Sequence, residues 1–316
     1  MSDRSAEPVR IGVLGAGRRA CGAFLPLLRQ LPGARVVAVS SDNLENRDRA
    51  REAWGDPLCF YEEAEDLLLD ELDAVVIATP SDTHERLSLA ALAAGKHVYC
   101  EKPAAESLEG IERLLAAREA AGTVYQTGLE LRCSAVARSA LAALQSGELG
   151  SLRALEGVFS PRAALPLEWL DLVHLLTGET PRRAFAAPTS ERPPRSLAIV
   201  LEYPQLTAEL RTDAGQGPSL LVQGTAGSLH ACFHTGTLAL ARDDAEPREL
   251  RVDLPPEASP GLRAALEAWL ESIRTGAPPG ADLHAARAAQ ATADALERSL
   301  RSGVPEPVRP SAEVAL

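Results

Sequence analysis

Short, almost wholly apolar runs punctuate the first 126 residues at Val9 to Leu14, Arg35 to Ser40, Ala74 to Ala78, His97 to Cys100 and Val124 to Gln126. Brief runs without polar alternation predict strands buried on both faces, and the helix-length stretches between them predict a parallel sheet covered by helices. Leu87, Ala90, Ala91 and Ala94 recur at helical spacing ahead of Gly95, a natural C-terminal cap. Pro26 falls where the first helix should still be running, so it predicts a kink or an early stop there.

After Gly150 the pattern changes to consecutive strand-like runs: Leu152 to Phe159, Leu197 to Tyr203, Leu206 to Thr212, Ser219 to Gln223 and Leu250 to Leu254. Strands that follow one another without helices predict a large, mostly antiparallel open sheet in an α+β domain. Two amphipathic helices, Pro260 to Thr275 and Ala281 to Ser302, close the chain around the breaker Gly276-Ala277-Pro278-Pro279-Gly280. The Pro- and Arg-rich stretch Pro181 to Pro194 is expected to be a surface connection. Two domains follow, an α/β domain over residues 1–127 and an α+β domain over 128–316.

The first strand runs into Gly15-Ala16-Gly17-Arg18-Arg19-Ala20 and then a helical pattern. That context turns a weak glycine motif into a dinucleotide signal and makes the first domain a doubly wound Rossmann domain. Gly15 permits the tight turn, Gly17 lets the backbone approach a pyrophosphate, and Ala20 lets helix pack closely on strand. Arg18 and Arg19 belong to the same candidate loop. Cofactor choice is expected at the end of the second strand, where Ser40-Ser41-Asp42-Asn43 leaves both NAD and NADP open. Small hydroxyls there leave room for a 2′-phosphate, with Arg18 or Arg47 as cations, whereas Asp42 is a possible ribose ligand.

With 316 residues, 46% of them hydrophobic, the chain is long enough for two cores. A formal charge of −12 and a pI near 5.1 argue against nucleic acid or anionic membrane as partners and leave small molecules as the better class. Arg47, Arg49 and Arg51 alternate with acids, as on a solvated helix face. No apolar run is long enough to span a bilayer and the polar start lacks a signal-peptide core, so a cytoplasmic protein is expected. Five scattered cysteines without a Cys-x-x-Cys pair suggest neither a disulfide framework nor a metal site.

Ala78-Thr79-Pro80-Ser81-Asp82-Thr83-His84, followed by Ala94-Gly95-Lys96-His97-Val98-Tyr99-Cys100-Glu101-Lys102-Pro103, resembles the loop, helix and Glu-Lys-Pro signature of the Gfo/Idh/MocA oxidoreductases. Echoes continue at Gly147 to Gly150, at Gly224 to Gly227 and in the final helix pair. The resemblance implies an NAD(P)-dependent dehydrogenase or reductase acting on a sugar-like or other small hydroxyl or carbonyl compound, and assembled as a homodimer or homotetramer. It implies that Thr79, Pro80, His84 and Glu101 line the cofactor and that Lys102 points to the reacting carbon. A cation near the substrate oxygen is what hydride transfer needs, because negative charge develops there on reduction.

The family's Asp-x-x-x-His helix motif is missing. Matching Gly178 to the glycine that ends that helix puts the family's Asp at Ala164 and its His at Glu168, with Asp171 matching a later structural acid. A shifted register puts Asp171 and His174 in the catalytic roles instead, three residues apart on one helix face. Of the two, His174 is the expected proton donor, since imidazole needs no adjustment to work near neutrality. Arg132 matches a family arginine near the active site or serves in a salt bridge. The missing motif and a short loop after Phe159 leave a second reading, a degenerate member that binds the dinucleotide as a sensor or interaction partner. Leu165, Leu167, Trp169 and Leu170 are candidates for either an apolar pocket or the core.

Overall fold

A computed structural model of the chain describes residues 7–55, 57–160, 166–189, 196–212, 217–242, 245–254 and 259–309. The chain divides into two compact units, Met1–Glu130 with Glu257–Arg287, and Leu131–Pro256 with Ala288–Leu316. The division therefore falls after Glu130, and a late segment returns to the first unit. The reason is packing. Helix Leu262–Thr275 lays the fully buried Trp269 edge-on against Tyr99 at 5.7 Å, and Tyr99 meets Phe24 in the same way at 5.4 Å. Gly280 N–H donates to Gln126 Oε1, and Thr127 N–H donates to the carbonyl of Ala281.

Among the described residues the first unit holds a six-stranded parallel sheet of β1 (Val9–Leu14), β2 (Ala34–Ser40), β3 (Cys59–Tyr61), β4 (Ala74–Ile77), β5 (His97–Cys100) and β6 (Tyr125–Thr127). Their order is β3-β2-β1-β4-β5-β6. Ile11, Val13, Leu14 and Val75 to Ile77 are fully buried, as strands sandwiched between helices require. The order reverses between β1 and β4, so ligands are expected at the carboxyl ends of those two strands. β3 was not expected; its run is only three residues long, with Cys59 exposed and Phe60 and Tyr61 half-buried. The irregularity at Pro26 takes the form of a π-helical turn, Ala20–Phe24, ahead of helix Leu25–Gln30. The widened turn absorbs the hydrogen bond that proline cannot make, and Pro26 then occupies the first turn of the regular helix.

The second unit is built on β7 (Leu152–Phe159), β8 (Arg183–Pro188), β9 (Leu197–Glu202), β10 (Thr207–Thr212), β11 (Ser219–Gly224), β12 (Gly227–Cys232), β13 (Thr237–Arg242), β14 (Ala245–Arg251) and β15 (Glu306–Pro307). The order is β14-β13-β12-β11-β7-β10-β9-β8-β15, antiparallel throughout except where β10 runs parallel to β7. Leu197, Ile199 and Leu201 are buried while Ala198, Val200 and Glu202 are partly open, so one face of the sheet is covered. Trp169, on helix Leu167–Thr177, fills that core between Phe159 and Phe233, and Leu170 is fully buried. Leu165 lies outside the described residues.

Two sequence expectations change here. The stretch taken as a surface connection contains β8, whose inward residues are the small Ala184 and Ala186; an apolar signal that weak is masked by the flanking Arg and Pro. The run Leu250 to Leu254 is not a strand of its own, because β14 begins at Ala245 and ends at Arg251 as an exposed edge on β13. The β12–β13 hairpin was not expected. No helix among the described residues is long and apolar enough to cross a membrane.

Candidate functional site

β1 ends at Leu14 and the chain turns at Gly15, which has a φ of +90° and donates its N–H to the carbonyl of Ser40. A Cβ on Gly15 would lie 2.9 Å from both the Ala78 carbonyl oxygen and Thr79 Cγ2, so only glycine fits. At Gly17 the same test finds nothing within 4 Å. That opening, at the start of the helical run 18–30, is the cradle a dinucleotide pyrophosphate needs. Ala20 is fully buried beneath it. The residues present fit the cofactor that the motif implies.

At the end of β2, Ser41 Oγ accepts the N–H of Asn43 at 3.2 Å, and Arg47 Nε donates to the Ser41 carbonyl at 2.6 Å. Asp42 and Arg18 are exposed. Asn43 caps helix Leu44–Trp54 by accepting the N–H of Asn46. An acid and a cation thus flank the hydroxyls, and the geometry admits either dinucleotide.

After β4, Thr79 Oγ1 accepts from the Thr83 hydroxyl at 2.7 Å. His84 does not face outward. It is 2% exposed, with Nε2 2.9 Å from the Thr79 carbonyl and Nδ1 2.7 Å from that of Pro103. Both contacts are to acceptors, so satisfying both requires the doubly protonated ring. Burial lowers the pKa, but the Cys100 sulfur and the carbonyls of Pro103 and Thr79 outweigh it and hold His84 at about 9. His84 is therefore an imidazolium strut behind the Thr79-Pro80 and Lys102-Pro103 loops.

Glu101 N–H donates to the Ile77 carbonyl, and Lys102 N–H donates to Glu101 Oε2 at 3.2 Å. Arg19 leaves the glycine loop to bind two carboxylates. Its Nε donates to Glu101 Oε1, and its Nη2 donates to both oxygens of Glu130 at 2.5 and 2.7 Å. The Tyr99 hydroxyl and Ser259 Oγ complete the shell of Glu130, at 3.2 and 2.5 Å. Burial works against the Arg19 charge, yet Glu130 and Glu101 raise its pKa above the ordinary value. Burial, then the neighbouring charge of Glu101, pushes Glu130 up to about 7, against the pull of Arg19 and Lys102. Sequence reasoning gave Glu130 no role. The signal available was an acid between Leu129 and Leu131 just after β6, together with an arginine in a turn where a small or apolar side chain suffices.

In the second unit, Arg132 forms a two-pronged ion pair with Asp171, Nε to Oδ2 and Nη2 to Oδ1, both at 2.7 Å, and Asp171 is 1% exposed. Both carboxylate oxygens are committed to holding that arginine. His174 is buried, with Nε2 3.2 Å from Thr292 Oγ1, whose hydroxyl donates to the Ala288 carbonyl. Burial, aided by the charge of Arg132, drops His174 to about 4, so the ring is neutral near pH 7. A ring that is neutral near pH 7 weighs against His174 as the proton donor there. Glu168 stays partly open in the first turn of the helix, its Oε1 accepting the N–H of Leu131 at 3.2 Å. Ala164 lies outside the described residues. Among those residues no cluster of three or more His, Cys, Asp or Glu forms a metal site.

Residues 9–129 match the model of an oxidoreductase family with an NAD-binding Rossmann fold, Gfo/Idh/MocA. Over 98% of both chains the sequence is 30% identical to inositol 2-dehydrogenase 1 of Saccharopolyspora erythraea. It is 29% identical, also over 98% of both, to inositol 2-dehydrogenase 2 of the same organism. Among solved structures, an oxidoreductase from Agrobacterium radiobacter in complex with NAD+, L-tartaric acid and magnesium superposes with a TM-score of 0.84 at 17% identity, covering 95% of this chain and 98% of that one.

Proposed function

The chain belongs to the Gfo/Idh/MocA oxidoreductase family, and on that premise we propose that it transfers hydride between NAD or NADP and a polyol, sugar-like or other small hydroxyl or carbonyl compound. The observation that carries this reading is the open cradle over Gly17, tied through Arg19 to an intact Glu101-Lys102-Pro103. The nicotinamide supplies hydride chemistry when bound. In this reading Gly15, Gly17 and Arg18 hold the pyrophosphate end, Ser41 and Asp42 the adenosine ribose, and Thr79, Pro80 and Glu101 the nicotinamide end, with Arg19 fixing Glu101 from behind and His84 bracing the loops. The Lys102 ammonium stabilises negative charge on the substrate oxygen. We assign proton exchange to Glu168 in place of the family histidine, and to Asp171 the fixing of Arg132. Relatives named inositol 2-dehydrogenases make cyclic polyols the first substrates to try.

Calorimetry with oxidised and reduced NAD and NADP, followed by a polyol, sugar and keto-acid panel, tests the reading. Absence of binding by all four nucleotides overturns it. Among variants, Glu168→Gln should lose activity and His174→Ala should keep it. The sensor reading draws on Glu168 and Ala164 standing where the family has His and Asp; tight nucleotide binding with no turnover across the panel would put it in place of the enzyme. We further assign the partly open face of the nine-stranded sheet, with Val200 and Leu221, to self-association into a homodimer or homotetramer. Light scattering that reports a monomer at micromolar concentration refutes that assignment. The five free thiols suit a reducing cytoplasm.

A further inference from the structure

Glu130 stands outside every role assigned so far, yet it is fully buried within the first unit. Its side chain is 0% exposed, and four hydrogen bonds converge on its two oxygens. The groups facing it come from four segments: Arg19 from the helical run after the glycine turn, Tyr99 from β5, Glu101 and Lys102 from the loop after β5, and Ser259 ahead of helix Leu262–Thr275. Two carboxylates and two cations make a cluster that is neutral when all four are ionised and carries one positive charge when one carboxylate is protonated. The same Arg19 that holds Glu130 also holds Glu101, the residue read as lying at the nicotinamide end of the cofactor.

We infer that Glu130 is a proton site governed by the oxidation state of the cofactor, empty when the nicotinamide carries its positive charge and filled when the ring is reduced and neutral. The inference rests on the dinucleotide reading above. Its cause is charge balance in a buried place: a protonated cluster and an oxidised ring are both cationic and repel, whereas the reduced ring adds no charge. Burial and the charge of Glu101 raise Glu130 from the ordinary carboxylate range, and a proton there is accommodated with the Arg19 contact kept if the Tyr99 or Ser259 hydroxyl turns from donor to acceptor. Binding of the oxidised cofactor therefore expels a proton, and binding of the reduced cofactor does not.

The test is the ratio of dissociation constants, oxidised over reduced, for whichever of NAD and NADP binds more tightly, measured on the full chain from pH 6 to pH 8. Taking the ratio cancels the titration of everything the two forms share. A cofactor-dependent separation of one pKa unit makes the ratio fall about tenfold as the pH rises across that window. Calorimetry of the wild type at pH 6.5 in two buffers of different ionisation enthalpy should show proton release with the oxidised form and not with the reduced one, a readout that needs no variant. In Glu130→Gln the ratio should be flat. In Arg19→Gln, which removes a cation from the cluster, the fall should move to higher pH. A flat ratio in wild type that binds both forms overturns the proton site and leaves the cofactor reading intact, as does a slope that survives in Glu130→Gln. Failure of both forms to bind overturns the cofactor reading and this inference with it.

Discussion

Replacing Asp171 by Asn should unsettle the second unit because it takes the charge from a carboxylate that grips Arg132 with two hydrogen bonds, rather than because it removes a catalyst. Arg132 Nε and Nη2 each donate to this carboxylate at 2.7 Å, and the Arg132 side chain is 15% exposed against 1% for Asp171. Neutralising one member of so enclosed a pair costs about 3–5 kcal/mol, and the slight access of water to Arg132 favours the lower figure. With a urea dependence of about 1–3 kcal/mol per molar, the midpoint for the second unit should fall by about 1 M or more. Circular dichroism through a urea titration measures it. The double variant Arg132→Met, Asp171→Leu removes both charges together and should recover most of the loss, since a packed apolar pair is often as stable as the ion pair it replaces. A cost for Asp171→Asn under about 1 kcal/mol, the range of exposed pairs, refutes the reasoning and returns Asp171 to the catalytic candidates.

Lys102→Ala should lower turnover by about 10² to 10³ while leaving the melting temperature and the affinity for the reduced nucleotide near wild type, because it removes one donor to a developing charge; steady-state kinetics beside calorimetry decides. His84, held at about 9 against an ordinary 6.5, contributes stability that is complete below about pH 6.5 and lost as the pH rises through about 9. His174, held at about 4, acts in the opposite sense, and its contribution fades as the pH falls from 6.5 towards 4. Thermal melts of His84→Gln and His174→Gln against pH should each flatten one limb of the profile. Trp269→Ala should cost about 3–5 kcal/mol, and Trp269→Phe much less, since Nε1 has no partner among the described residues and no hydrogen bond is lost.

What could be read from the sequence was whatever is local. β1 and β5 have the bounds their apolar runs indicated, and the glycine turn has the φ its motif demands. β8 escaped notice because a strand lined by alanine carries little hydrophobic contrast, whereas β3 and the β12–β13 hairpin carry apolar residues in runs too short to mark a strand by themselves. The site was legible as an inventory and illegible as a set of pairings. Arg19 and Glu130 are 111 positions apart, and nothing short of the fold says that they meet. His174 is the clearest lesson: an ordinary imidazole pKa made it attractive, whereas its pKa in the protein is set by burial and by Arg132, which the sequence places 42 positions away. The same holds for His84, whose two carbonyl partners belong to separate loops.

The return of residues 257–287 to the first unit has a consequence for how this protein is made. A ribosome delivers the glycine turn, the Glu-Lys-Pro loop and Glu130 early, but Ser259 and Trp269 emerge only after the whole nine-stranded sheet except β15 has been synthesised. Until then the nascent first unit leaves Tyr99 with Phe24 but without Trp269, and Glu130 without one of its donors. Domains that fold in order of synthesis commonly complete before the next begins; here the first to start is among the last to finish. A fragment ending at residue 130 should accordingly behave as an open, sticky intermediate rather than as a small dinucleotide-binding protein.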